Sequence, residues 1–246
     1  MKPKASLSPG ERQIEEPRQL LLDLAGEPRF LPEDFIVGPS NERAYAMVET
    51  WPSWPGEALL LVGPRGSGKT HLGAIWARRA HAWTVRRAEL ASESLPRLLA
   101  PAALLVEDAH EAGDETALFH LLNAAKMRRS YLLLTAVNEP ALWKLATPDL
   151  LSRLRLAPAI HIEEPDDALL RMVVVKLFVD RQLVVDAGVI EIILTHAERS
   201  FAGARAAVER LDRHSLASQR RITRALAREV LRTEEGGARS EPFISP

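Results

Sequence analysis

Cysteine is absent from the chain, which excludes disulfides, thiolate nucleophiles and cysteine-ligated zinc. Long apolar runs are missing as well: Ala58 to Val62, Met172 to Val179 and Val189 to Leu194 are short or broken by charge. A bilayer-spanning helix needs roughly 20 apolar residues, so no membrane role is expected. The opening stretch, Met1 to Arg18, is polar, contains Pro3, Pro9 and Pro17 and has no apolar centre. It is unlike a secretion signal, and the chain reads as cytoplasmic. An excess of one charge is also lacking. The formal net charge of -1 gives no global reason to expect a nucleic-acid partner. The charge is nevertheless unevenly spread, because Arg199 to Arg232 contains nine arginines against Glu209, Asp212 and Glu229, a local excess of +6. That pattern reads first as a solvated helical face and second as a weak contact with DNA.

What is present suffices for a packed fold: 246 residues, 46% of them hydrophobic, can bury one sizeable α/β core and a smaller appendage. From Ala58 onward, short apolar runs alternate with helical patterns. Ala58 to Val62, Ala82 to Arg86, Ala103 to Glu107, Tyr131 to Thr135 and Ala159 to Ile162 read as strands. Between them, Leu72, Ile75, Trp76 and Ala80 recur at helical spacing, and Asp114 precedes Leu118, Phe119, Leu121, Leu122 and Ala125 as a helix cap. Alternation of this kind predicts a five-stranded parallel sheet covered on both faces by helices. After Glu164-Pro165 only helical patterns remain, with Asp166 and Asp186 as caps, although Val173-Val174-Val175 also suits a strand. The expected division is a tail over 1–34, an α/β domain over 35–163, a small α-helical domain over 164–233 and a second tail over 234–246.

Gly63-Pro64-Arg65-Gly66-Ser67-Gly68-Lys69-Thr70 matches G-x-x-x-x-G-K-[ST] between an expected strand and an expected helix. In such a phosphate loop the glycines let backbone N–H groups turn inward, the lysine reaches the β- and γ-phosphates, and the hydroxyl holds magnesium. Here those last roles fall to Lys69 and Thr70, and ATP or ADP with Mg2+ is the expected ligand. Leu104-Leu105-Val106-Glu107-Asp108 then places two carboxylates at a strand's C-terminal end, where one can hold the metal ion and the other polarise a water. Trp51 and Trp54 are expected to cover the core near the nucleotide. His71, His81, His110 and His120 show no mutual spacing suited to a metal.

From Phe35 to Leu231 the chain resembles the DnaA/Hda family of AAA+ proteins. The residues that carry the resemblance are Phe35-Ile36-Val37-Gly38-Pro39-Ser40-Asn41, the phosphate loop, the acid pair and Asp149-Leu150-Leu151-Ser152-Arg153. The resemblance implies a P-loop AAA+ domain followed by a helical lid, with Val37 and Gly38 beside the adenine. It implies that Arg153 is an arginine finger acting on a neighbouring subunit's phosphates, and that Thr135-Ala136-Val137-Asn138 occupies the place of the polar sensor at the fourth strand's end, with Thr135 or Asn138 able to reach a phosphate or water. The family's lid arginine aligns with Ala202, and Arg205 lies one turn later on the same helical face. The first acid, aspartate in most of the family, is Glu107 here. These departures imply a nucleotide held for shape and assembly, with weak or no ATPase activity of the chain's own.

After the lid, the chain stops at Pro246 without a helix-turn-helix pattern, so the resemblance points to Hda-type regulators of the DnaA initiator. These promote ATP hydrolysis by the initiator and prevent over-initiation of replication. Taken alone, Gln19-Leu20-Leu21-Leu22-Asp23-Leu24 reads as a short helix packing its leucines on the body. Within the family, the same residues resemble the peptide that engages the β sliding clamp through Gln19, Leu20, Leu22 and Leu24, with Gln19 at a pocket rim and Leu22 and Leu24 filling an apolar cleft. Homo-oligomers also fit such a protein. The competing expectations are a DnaA-like ATPase that loads helicase or remodels DNA, and a clamp adaptor without chemistry.

Overall fold

The computed structural model describes residues 30–237, with side chains to Arg232. Strands β1 (Ala58–Val62), β2 (Trp83–Arg86), β3 (Ala103–Glu107), β4 (Tyr131–Ala136) and β5 (Ala159–His161) form one sheet in the order β2-β3-β4-β1-β5. Every neighbouring pair is parallel, as short strands separated by helical crossovers require. The helices are α1 (Glu42–Glu49), α2 (Lys69–Ala80), α3 (Leu95–Leu98), α4 (Glu115–Arg128) and α5 (Pro148–Leu156) in the α/β part. Helices α6 (Asp167–Asp180), α7 (Ala187–His196), α8 (Phe201–Ser218) and α9 (Arg224–Gly237) follow it.

Because successive strand side chains point to opposite faces, the apolar runs supply two cores at once. Leu60, Val62, Leu104, Val106, Leu132 and Leu134 face one cluster, shared with Leu118 and Leu121 of α4 and with Leu150 and Leu154 of α5. Leu59, Leu61, Leu105 and Leu133 face the other, shared with Val48 of α1 and with Leu72 and Trp76 of α2. A third core joins α6 to α9 through Leu170, Val174, Phe178, Ile193, Val208, Leu211 and Leu226. Each such side chain contributes about 1.5–3 kcal/mol when fully buried, so the helical part carries a core of its own. The expected caps are in place. Asp114, Asp166 and Asp186 accept hydrogen bonds from the backbone N–H groups of Ala117, Leu169 and Gly188 at 3.0, 2.7 and 2.7 Å.

The helical reading of Val173-Val174-Val175 holds over the strand alternative: the run belongs to helix α6, because Leu170, Val174, Leu177 and Phe178 at helical spacing bury together in the lid core. One expectation is corrected. Trp51 and Trp54 pack with Trp76 and with Tyr131, the first residue of β4. They therefore close the N-terminal end of the sheet, opposite the end from which the phosphate loop leaves β1. Among the described residues no helix is long and apolar enough to cross a membrane.

Candidate functional site

The phosphate loop connects the C-terminal end of β1 to the first residue of α2, Lys69. Its glycines are demanded by close approach and by backbone angle. A Cβ on Gly63 would lie 2.3 Å from the carbonyl oxygen of Ile162, and Gly66 has φ +73 with Ser200 of the lid only 2.5 Å from where its Cβ would stand. The lid is bound to the loop at the same place, since the Phe201 amide donates to the Gly66 carbonyl at 3.1 Å. Ser200 caps α8 by accepting from Gly203. The first turn of α8 is therefore seated on the loop.

Lys69 is buried, and its ammonium donates to the carbonyls of Gly63 and Pro64, both at 2.7 Å. Burial lowers its pKa; Asp108 opposes that shift and Arg65 adds to it. Thr70 hydrogen-bonds with Glu107, the last residue of β3. Burial holds the Glu107 carboxyl above the usual range; the Thr70 bond pulls it back and Asp108 pushes it further up. Asp108 turns out of the strand at φ 51. Its N–H donates to the Thr135 hydroxyl at 3.1 Å, and the next amide, Ala109, donates to the Thr135 carbonyl at 2.7 Å. Thr135, buried in β4, thus ties the two strand ends together.

These elements border a cavity of about 560 Å³. Arg65, Gly66, Gly68, Lys69, Thr70 and Asp108 form its phosphate-like end, and Ala202 and Arg205 of α8 stand across from them. The apolar end is made by Phe30, Phe35, Ile36, Val173, Leu177 and Phe201. A polar rim of Asp34, Lys176, Asp180 and Arg181 lies between the leading segment and α6, with Lys176 bonded to Asp34 at 2.8 Å and to Asp180 at 2.9 Å. A cavity with one cationic, amide-lined end and one apolar end suits a nucleotide. The hydroxyl of Ser67 and Oε1 of Glu107 are buried without a hydrogen-bond partner, and Thr70 and Glu107 are adjacent. Oxygen donors of this kind beside a phosphate loop fit a magnesium-bound phosphate.

The sequence-derived site residues are distributed unequally. Lys69, Thr70, Asp108 and Arg205 line one cavity, and Glu107 lies next to Thr70 and Asp108 without forming part of its wall. Val37 and Gly38 are near it, but Phe35 and Ile36 form the wall, whereas Gly38 packs on Leu169 and Val37 is 43% exposed. Asn41 holds this segment in shape, accepting from the Gly38 amide at 2.9 Å and donating to the Ile36 carbonyl at 3.0 Å. Asn138 follows β4 with its Oδ1 buried and unpaired. Arg153 is exposed on α5 and is not part of the cavity wall. His110, read as having no metal spacing, lies with Asp108 and Glu111 so that their ligand atoms are within 4.8 Å of one another. Gln19, Leu20, Leu22 and Leu24 lie outside the described residues. Sequence reasoning missed Phe30, Asp34, Lys176 and Asp180. No motif marks them; only the packing of α6 against the leading segment reveals them.

A family model described as "Hda, lid domain" matches residues 178–231. The chromosomal replication initiator protein DnaA of Thermomicrobium roseum is 26% identical, the match covering 87% of this chain and 51% of that one. The chain thus spans about half the length of this curated relative. Domain III of the Thermotoga maritima replication initiation protein DnaA superposes with a TM-score of 0.70 at 19% identity, over 84% of this chain and 97% of that one. The replication initiator DnaA bound to AMPPCP and single-stranded DNA superposes with a TM-score of 0.64 at 19% identity, over 78% of this chain and 69% of that one. The parallel sheet, phosphate loop and helical lid together make up the AAA+ fold of the P-loop class. Within that class, the chain is similar to DnaA initiators and, over residues 178–231, to the Hda lid domain.

Proposed function

We propose that the chain is an Hda-type regulator: it holds an adenine nucleotide, anchors on the β sliding clamp and promotes ATP hydrolysis by a DnaA initiator. The observation that carries this reading is the Hda-type lid over 178–231 seated on an intact phosphate loop. Lys69 and the loop amides bind the phosphates, Thr70 and Glu107 hold magnesium, and Asp108 orients water. Phe35, Ile36 and Leu177 enclose the base, with Val37 and Gly38 supporting that wall. Magnesium, when bound, neutralises phosphate charge. Arg205 supplies from the lid the cation that Ala202 cannot. With Glu107 at the metal position, the chain's own turnover is slow, and the nucleotide, ADP or ATP, fixes the angle between lid and sheet.

Arg153 does its work elsewhere. It is exposed on α5 and away from the chain's own cavity, so its guanidinium is free to approach phosphates held by a neighbouring AAA+ subunit. There it offsets charge that develops on the transferring phosphoryl oxygens. Gln19, Leu20, Leu22 and Leu24 supply the clamp anchor, which raises the local concentration of regulator at replicated DNA.

The test is to incubate purified initiator loaded with labelled ATP, clamp-loaded DNA and this chain. ATP loss accelerates with the wild type; Arg153→Ala abolishes the effect while ADP binding is kept, and Gln19→Ala with Leu22→Ala removes the clamp dependence. If the intact chain gives no acceleration but shows DNA-stimulated ATPase activity of its own, with affinity falling steeply with salt, the arginine-rich end of the lid is a DNA contact and a remodelling role replaces this one.

A further inference from the structure

We infer that the leucine cluster Leu20-Leu21-Leu22-Asp23-Leu24 docks back onto its own lid, on an exposed apolar stripe of α6. The stripe consists of Met172, Val175 and Val179, which are 46%, 42% and 64% exposed and share one helical face at spacings of three and four residues. The other faces of α6 are occupied. Leu170, Val174, Leu177 and Phe178 fill the lid core, while Val173, Lys176 and Asp180 border the nucleotide cavity. A surface helix ordinarily turns charged and polar residues to solvent on its remaining face, and an apolar stripe there marks a contact surface.

The position at which the described chain begins selects the occupant. Asp34 bonds to Lys176 at 2.8 Å, and Phe30 lies on the cavity wall with Val173 and Leu177. Met172 is one turn before Lys176, so the leading segment reaches α6 at the face bordering the stripe. Leu24 lies six residues before Phe30, and six residues span up to about 20 Å. From Met172 to Val179 the helix advances only about 10 Å. The tether also makes the contact intramolecular, at an effective concentration on the order of millimolar, which suffices for a few leucines on a shallow stripe. The other terminal apolar pair, Phe243-Ile244, follows α9, which packs on α7 and α8. The N-terminal leucines are therefore the better-placed occupant. The same leucines cannot fill a clamp cleft and this stripe at once, so the two contacts exclude each other, and this one does not rest on the clamp reading. It places the tail and the nucleotide cavity on adjacent faces of one helix, so that occupancy of one biases the other.

The absence of cysteine permits a direct test, because Leu22→Cys with Val175→Cys introduces the only two thiols. Oxidation of the dilute full-length chain is expected to give an intramolecular disulfide, read as a faster-migrating monomer on non-reducing electrophoresis. Its yield should exceed by about five-fold that of a control pair, Leu22→Cys with Leu216→Cys, whose second site is exposed on α8. Adding Met172→Asp and Val179→Asp should return the yield to the control level. These exposed positions lie outside the cores, and an unchanged melting curve verifies that the variants fold. A disulfide-linked dimer as the main product would show that a second copy covers the stripe, and a yield equal to the control would show that the tail does not dock; either result overturns the inference.

Discussion

The two ends of the parallel sheet are made by the same strands and carry opposite kinds of side chain. At the N-terminal end Trp54 stacks on Trp76 at 5.2 Å between ring centroids, with Trp51 and Tyr131 edge-on to the pair. This end is large, apolar surface withdrawn from water, although the indole N–H groups of Trp51 and Trp76 find no acceptor. At the C-terminal end the buried groups are Ser67, Lys69 and Thr135, flanked by the unpaired Glu107 Oε1 and Asn138 Oδ1. Burying polar atoms without partners costs stability. The difference teaches that one end is filled by aromatic surface that holds the fold, while the other gathers a lysine, hydroxyls and acceptor oxygens suited to a polar ligand.

The largest effect expected from breaking this division is at the apolar end. Trp76→Ala should lower unfolding stability by about 3–5 kcal/mol, measured by chemical denaturation, yet leave the ADP affinity of the folded fraction within about two-fold. A parallel fall in affinity would mean that the two ends are not separable. Next comes Lys69→Ala, which removes charge-assisted hydrogen bonds worth about 1.5–3 kcal/mol, or roughly 10- to 100-fold in ADP affinity by titration calorimetry. Stability without nucleotide should change by less than about 1 kcal/mol, because burial disfavours the ammonium there and removing it relieves that cost.

Gly66→Ala probes the seam between loop and lid. At φ +73, with Ser200 2.5 Å from the new Cβ, the substitution should cost about 1–2 kcal/mol and weaken ADP binding at the same time, since Phe201 is held by the Gly66 carbonyl. Thermal melts with and without ADP read both effects. Loss of stability with binding intact would show that the lid seat is not needed by the nucleotide.

Legibility differed between the ends for physical reasons. The strands could be read because Leu59 to Val62, Leu104 to Val106 and Leu132 to Leu134 face cores on both sides and are continuously apolar. Lys69 and Thr70 were legible because a phosphate loop needs fixed residue types at fixed spacing. Asp114, Asp166 and Asp186 were legible as caps because capping is local chemistry. Lys176 and Asp34 were not: each is an ordinary charged residue until two segments far apart in sequence meet over the cavity. The tryptophans failed for a related reason. Pro52, Pro55 and Gly56 say that Trp51 and Trp54 stand in a loop before β1, and a loop before a strand is at the end remote from the phosphates. That inference needs the strand's direction rather than its sequence neighbours.

The smallest effect sharpens the comparison most, because it asks whether the polar end is costly in the absence of its ligand. Glu107 is held above the usual carboxylate range, chiefly by burial. A carboxyl whose folded pKa is raised is most favourable to folding when neutral, so its contribution is retained below the ordinary carboxylate range and lost as pH rises through the raised folded value. Glu107→Gln should therefore melt higher than wild type at pH 7 without nucleotide, by on the order of 2 °C, and the gap should close by about pH 4 as the carboxyl protonates. With ADP and magnesium the order should reverse, since the carboxylate then faces a cation and only the wild type gains from it. A wild type that is no less stable than the variant at pH 7 would mean that Glu107 is adequately solvated and that the polar end carries no such cost.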